Sequence, residues 1–219
     1  MTPQEIEMII RGIGETLYMT IAATLFGYVI GLPWGIALTV TGKDGIRPNT
    51  VVYRILDAVT NVMRSIPFLI LLILVLPITL FIVGKTYGST ATIVPLVISA
   101  APLIARMVES SLNEVDHGVI EAAQSMGASN TQIVCRVLLG EARISLISGA
   151  TITTGTILGY SAMAGTVGGG GLGDIAIRYG YYRYQANILW VTVILLIILV
   201  QIFQYTGNLI SVKLDKRRV

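Results

Sequence analysis

The chain is poor in groups that make or break covalent bonds. It has one histidine, His117, and one cysteine, Cys135, which leaves no second histidine for a metal site and no disulfide within the chain. An intramembrane enzyme needs a nucleophile with its base, or a metal cluster, and these residues supply neither. Gly168, Gly170 and Gly173 satisfy the spacing GxGxxG. That fingerprint holds a dinucleotide only between a strand and a helix of a βαβ unit. Gly42-Lys43 lacks the hydroxyl residue and the upstream glycine of a phosphate-binding loop. What the polar residues can offer is a fixed contact to something else.

Such a contact is concentrated in residues 109–143, a long internal segment with dense charge and clear helical start and stop signals. Asp116 is placed to cap a short helix through Ile120 and Glu121 to Met126, its carboxylate accepting from N–H groups orphaned in the first turn. Gly127 ends that helix, because glycine tolerates the left-handed conformation that follows a helix. Ser129 opens the next one, with Gln132 at capping-box spacing. Val119, Ile120, Ala123 and Met126 form an apolar stripe at intervals of three and four. A helix this short is marginal alone and needs a partner surface. His117, beside the cap, reads as a surface residue.

The elements that must position this segment are apolar. With 54% hydrophobic and 12% charged residues, the chain is too apolar for an ordinary soluble domain. The expected architecture is an all-α polytopic membrane protein, a single domain over residues 1–219. Its five spans fall at about 17–40, 65–83, 86–105, 144–167 and 184–212. Residues 1–16 lack the basic region and cleavage site of a signal peptide and are expected to be retained, lying along the membrane surface. Pro33 is expected to kink the first span and Pro77 the second. Residues 51–64, with Tyr53, Arg54, Asp57 and Asn61, are amphipathic and enter the second span from the interface. The third span, holding Pro95 and Pro102, packs inside the bundle. The fourth, rich in small residues that let helices approach closely, is central, and residues 188–203 face lipid.

Placing residues 41–64 in the cytoplasm puts eleven Lys and Arg inside and four outside, a clear positive-inside bias. The N-terminus is then outside, the C-terminus in the cytoplasm, and residues 109–143 face the cytoplasm. The cations sit beside apolar runs, so the net charge of +3 reads as an orientation signal and no nucleic acid is expected.

Glu121-Ala122-Ala123, followed after three residues by Gly127-Ala128 and then Ile133, resembles the EAA loop of ABC-importer permeases. That family usually continues to Leu-Pro, whereas this chain has Leu139-Gly140, so only a softer bend is expected there. The run SAMAGTVGGGGLGDIAIRYGYYRY over residues 161–184, with Arg64-Ser65-Ile66-Pro67-Phe68, is similar to the permease subunit of methionine ABC importers. The resemblance covers essentially the whole chain. It implies a type I importer permease fold, a non-catalytic subunit in a bacterial inner membrane, and a homodimer. It also implies two cytosolic ATPase subunits that hold ATP and magnesium, with no cofactor in this chain, and an extracytoplasmic methionine-binding protein. The Glu121 helix is then a coupling helix docked in a groove of the ATPase. Another small amino-acid importer is the nearest alternative.

The glycines of residues 168–173 read as the end of the fourth span at the outer face and a close re-entrant turn. Tyr160, Ser161 and Met163 precede it, where the resemblance places the permeation pathway at the dimer axis. Met163 is either a soft thioether gate or packing filler. Asp174, Arg178 and Arg183 are either docking charges for the binding protein or solvated loop charges. Arg64 is either a snorkelling anchor or part of an inner gate. A stand-alone secondary transporter is the rival from another class, but the five spans lack an acid with which to couple ions.

Overall fold

The computed structural model describes residues 2–214, and every regular element among them is helical. Helix α1 (Pro3–Thr41) begins on a capping box in which the Thr2 N–H donates to Glu5 at 2.7 Å and the Thr2 hydroxyl accepts the Glu5 N–H at 3.3 Å. Its 39 residues make a helix about 58 Å long at 1.5 Å per residue. The residues expected along the membrane surface are thus the first turns of one helix that continues into the first span. Pro33 lies inside it without ending it.

Helix α2 (Thr50–Ser65), capped by the Asn49 side chain, meets α3 (Phe68–Leu74) at a bend of 103°. Pro67 stands at the corner, where it fixes its own φ and supplies no N–H to continue the helix. The expected second span is in fact two short helices, α3 and α4 (Leu76–Val83), parted at Val75 just before Leu76-Pro77. Helix α5 (Ser89–Asn113) keeps Pro95 and Pro102 within it. The polar stretch holds α6 (His117–Ser125), α7 (Asn130–Gln132), a π-helical segment Ile133–Leu138, and α8 (Leu139–Glu141). Helix α9 (Arg143–Ala164) runs into a 3-10 turn Gly165–Val167, then α10 (Gly171–Ile175), a π-helical segment Ala176–Tyr181 and α11 (Ala186–Leu214).

The most extensive helix–helix seam is α1 against α5. Gly27, Gly31 and Gly35 recur every fourth residue on α1, and a Cβ at Gly31 would lie 2.7 Å from both the Ala101 carbonyl oxygen and the Ile104 Cβ. A Cβ at Gly35 would meet Ala105 and Val108 in the same way, at 2.6 Å. Such small-residue ladders let helix backbones approach where no hydrophobic driving force separates them from lipid. Over its most apolar stretch α5 is 56% buried, against 11% for α11, so α5 is the inner helix and α11 the outer one. Three helices, α1, α5 and α11, are individually long and apolar enough to cross a membrane, and α2 with α3 adds a fourth if the bent pair is one span. Helix α9, at 22 residues, is about 33 Å long, but its serines, threonines and glycines make it less apolar. Lys216, Arg217 and Arg218 lie outside the described residues.

Candidate coupling loop and outer turn

The short helix of the polar stretch is framed as its sequence predicts. The Asp116 carboxylate accepts the Gly118 N–H at 2.8 Å, and Gly127 takes φ +81° behind the last turn. The Ser129 N–H donates to Gln132 Oε1 at 2.8 Å, while the Ser129 Oγ accepts the Gln132 N–H at 3.4 Å. At Leu139-Gly140 the chain stays helical, its ladder loosened by the π segment upstream.

The apolar stripe does not stay together. Ala123 is buried and Ile120 half-buried, both packed in the cluster that holds Ile133, Leu138 and Leu112, whereas Val119 and Met126 are 42% and 82% exposed. At about 100° per residue the four side chains spread over a third of the helix circumference, and the bundle covers one edge of it. The six motif residues accordingly divide. Ala123, Ala128 and Ile133 anchor the loop to its own subunit, Ile133 with no exposed surface, while Glu121, Ala122 and Gly127 face outward.

One turn above Leu112 lies a charge network absent from the sequence expectations. Arg106 donates through Nη1 to Glu109 at 2.6 Å and through Nη2 to Asp57 at 2.6 Å and Asn61 at 2.9 Å. The Tyr53 hydroxyl donates to the other Glu109 oxygen at 3.3 Å. Burial, reinforced by the Glu109 and Asp57 charges, raises the Tyr53 phenol above its ordinary value. The sequence signal was there in fragments: Tyr53, Asp57 and Asn61 share one face of α2 at spacings of four, and Arg106 and Glu109 share one face of α5. Nothing in the sequence paired the two faces.

At the other end, α9 and α10 cross in backbone contact. A Cβ at Gly165 would strike the Gly173 backbone, and one at Gly173 would strike Ala162. The turn between them needs φ +76° at Gly168, +83° at Gly170 and +73° at Gly171, a region that disfavours any residue with a Cβ. The turn is held from α1: the Glu15 carboxylate accepts the Gly171 N–H at 2.8 Å and the Thr16 hydroxyl accepts the Leu172 N–H at 2.9 Å. Tyr160 stacks on Phe68 of α3 with ring centroids 4.6 Å apart and planes 2° off parallel. Ser161 is buried and donates to the Leu158 carbonyl at 2.7 Å, while Met163 is 47% exposed. The three residues of the expected path therefore point in different directions.

Asp174 and Arg178 form an ion pair at 3.1 Å, and the Arg183 guanidinium lies 4.6 Å from the Tyr179 ring centroid. Burial raises the Asp174 carboxyl above its usual range, with Arg178 opposing and Glu15 adding to the effect. No group of histidine, cysteine and acidic residues among the described residues could hold a metal ion.

The chain is similar in sequence and fold to known transport proteins. Residues 27–218 match the family described as binding-protein-dependent transport system inner membrane component. The probable D-methionine transport system permease protein MetI of Vibrio cholerae is 49% identical over 96% of this chain and 94% of its own length. Its counterpart from Pasteurella multocida is 46% identical over 99% of this chain and 100% of its own. The inward-facing MetNI methionine ABC transporter contains a chain 47% identical, superposing with TM-score 0.97 over 99% of this chain and 100% of that one. An amino acid ABC transporter crystallised with histidines, at 21% identity and TM-score 0.78 over 96% of both chains, shares the fold. The chain belongs to the binding-protein-dependent transport system inner membrane components, within the branch that includes the MetI permeases.

Proposed function

We propose that the chain is the translocation subunit of an ATP-driven methionine importer in a bacterial inner membrane. The observation that carries this reading is the near-complete superposition on the permease of the MetNI transporter at 47% identity. It is a permease and not an enzyme, and hydrolysis of ATP with its magnesium belongs to partner subunits. Two copies of the chain pair about a two-fold axis. A cytosolic ATPase subunit docks on each, and an extracytoplasmic binding protein delivers methionine. The reading supplies five spans, with α1, α3–α4, α5, α9 and α11 each crossing, the N-terminus outside and residues 41–64 and 109–143 on the cytoplasmic side.

In this scheme Glu121, Ala122 and Gly127 present the contact to the ATPase, and Ala123, Ala128 and Ile133 transmit its movement to the bundle. Their division into outward and anchored residues supports those roles. Met163, exposed on α9 above the Tyr160–Phe68 stack, faces the path at the dimer axis as a polarizable, adaptable gate. Ser161, buried and hydrogen-bonded to the Leu158 carbonyl, stays within the bundle beside it in sequence. Asp174, Arg178 and Arg183 form the outer surface that the binding protein meets. Co-purification of the chain with an ATPase subunit, followed by uptake of radiolabelled methionine into proteoliposomes loaded with ATP, tests the reading. Uptake that needs neither the ATPase nor ATP would overturn it.

A further inference from the structure

The Arg106 network joins two elements that the coupling reading leaves unconnected. Helix α6 reaches the end of α5 through buried apolar contacts among Ala123, Ile133, Leu138 and Leu112. Glu109 lies one turn before Leu112 and is 4% exposed, so its negative charge is tolerated only because Arg106 and Tyr53 satisfy it. Through Nη2 the same guanidinium grips Asp57 and Asn61 of α2. Helix α2 turns by 103° into α3, whose Phe68 stacks on Tyr160 three residues from Met163. Buried contacts, the Arg106 hydrogen bonds and the backbone of the α2–α3 corner thus link the cytosolic loop to the outer half of α9.

We propose that Arg106 is a positioning residue for transport. Through Glu109 and Asp57 it fixes α2 to the coupling end of α5, so that displacement of α6 turns the α2–α3 elbow and shifts Phe68 against Tyr160. The inference rests on the importer reading above. Planar, forked geometry suits arginine to holding two carboxylates at once, which a lysine ammonium does less well. Continuity in space is not coupling by itself, so the test must read coupling.

The experiment uses the full permease–ATPase complex in proteoliposomes with methionine-loaded binding protein. Methionine transported per ATP hydrolysed is measured for Arg106→Gln, Arg106→Lys, Glu121→Ala and the double variant Arg106→Gln/Glu121→Ala. We expect Arg106→Gln to lower the ratio at least fivefold with assembly retained, and Arg106→Lys to recover part of it. The double variant should be no worse than the poorer single variant, because residues acting in series are non-additive whereas distant independent sites add. An unchanged ratio in Arg106→Gln, or fully multiplying losses in the double variant, overturns the proposal. If Arg106→Gln does not assemble, Arg106→Gln/Glu109→Gln, which leaves no lone buried carboxylate at that position, takes its place with the same expectations. A parent complex that takes up no methionine removes the importer reading itself, whereas parent uptake with unchanged ratios in the variants removes the latch alone.

Discussion

The Glu15 carboxylate accepts the Gly171 N–H at 2.8 Å across 156 positions of sequence. The first helix therefore caps the glycine turn that joins α9 to α10, with Thr16 holding the next amide. A hydrogen bond from a backbone amide to a charged acceptor contributes about 1.5–3 kcal/mol. Glu15→Ala is expected to lower the thermal midpoint in detergent and to raise proteolysis at residues 168–173. Glu15→Gln, which keeps an acceptor, should have the smaller effect.

The α1–α5 seam makes a paired prediction. Gly31→Val places its Cβ against the Ala101 carbonyl and the Ile104 Cβ, where backbone leaves nothing to move aside. A loss of about 3 kcal/mol is expected, at the upper end of overpacking effects. Gly14, exposed in the same helix, has nothing within 4 Å of an added Cβ. Gly14→Ala should be neutral or gain up to about 1 kcal/mol from helix propensity. Unfolding curves of the two variants beside the parent distinguish a packing glycine from an incidental one.

The capped helix of residues 117–125 was legible because its signals are local. Asp116, Gly127 and the Ser129–Gln132 pair satisfy backbone groups two to four residues away, and such geometry follows from the sequence itself. Glu15 and Arg106 each have a partner within four residues, Arg11 and Glu109, but their long-range partners were not legible, because Gly171 lies 156 residues from Glu15 and Asp57 lies 49 from Arg106. Pro77 was correctly placed near a disturbance, yet Val75 breaks the helix before it. Gly27, Gly31 and Gly35 carry a close-packing spacing within the sequence of α1, the same device as the small residues of the fourth span, but spacing alone does not name α5 as the helix they meet.

The outward and anchored residues of the EAA segment should respond differently to substitution. Glu121→Ala removes an exposed carboxylate and leaves the subunit's own packing intact. Gly127→Asp puts a Cβ and a charge at φ +81°, a local strain of about 1–2 kcal/mol. Both are expected to insert and fold, and to transport severalfold less methionine per ATP hydrolysed. Ile133→Ala empties a fully buried site and should cost about 2–5 kcal/mol of stability. An unchanged ratio in both outward variants would remove the coupling role.

Asp174 sets a pH dependence with a definite sign. Burial raises its folded-state pKa despite Arg178, so just above the ordinary carboxylate range the folded chain binds more protons here than the unfolded chain. Stability from this group therefore falls as pH rises through that window and recovers on acidification. Asp174→Asn cannot titrate. The difference in thermal midpoint between parent and variant should move in the parent's favour as the pH is lowered from neutral, and a constant difference would show that Arg178 compensates the burial.

Orientation can be read from the chain's own thiol. Cys135 is the sole cysteine and is exposed within the π segment that follows the capped helix. In the proposed orientation, which follows the distribution of Lys and Arg, that segment is cytoplasmic. A membrane-impermeant maleimide applied to the permease expressed without its ATPase should leave Cys135 unlabelled in right-side-out vesicles and label it in inverted ones. Detergent should expose it in both, and Cys135→Ser should abolish the signal. Because Glu121 and Cys135 belong to one polar stretch whose Ala123, Ile133 and Leu138 share a single buried cluster, labelling from the outer face would carry Glu121 outside as well. No cytosolic ATPase could then reach it, and both the importer scheme and the Arg106 latch would fail together.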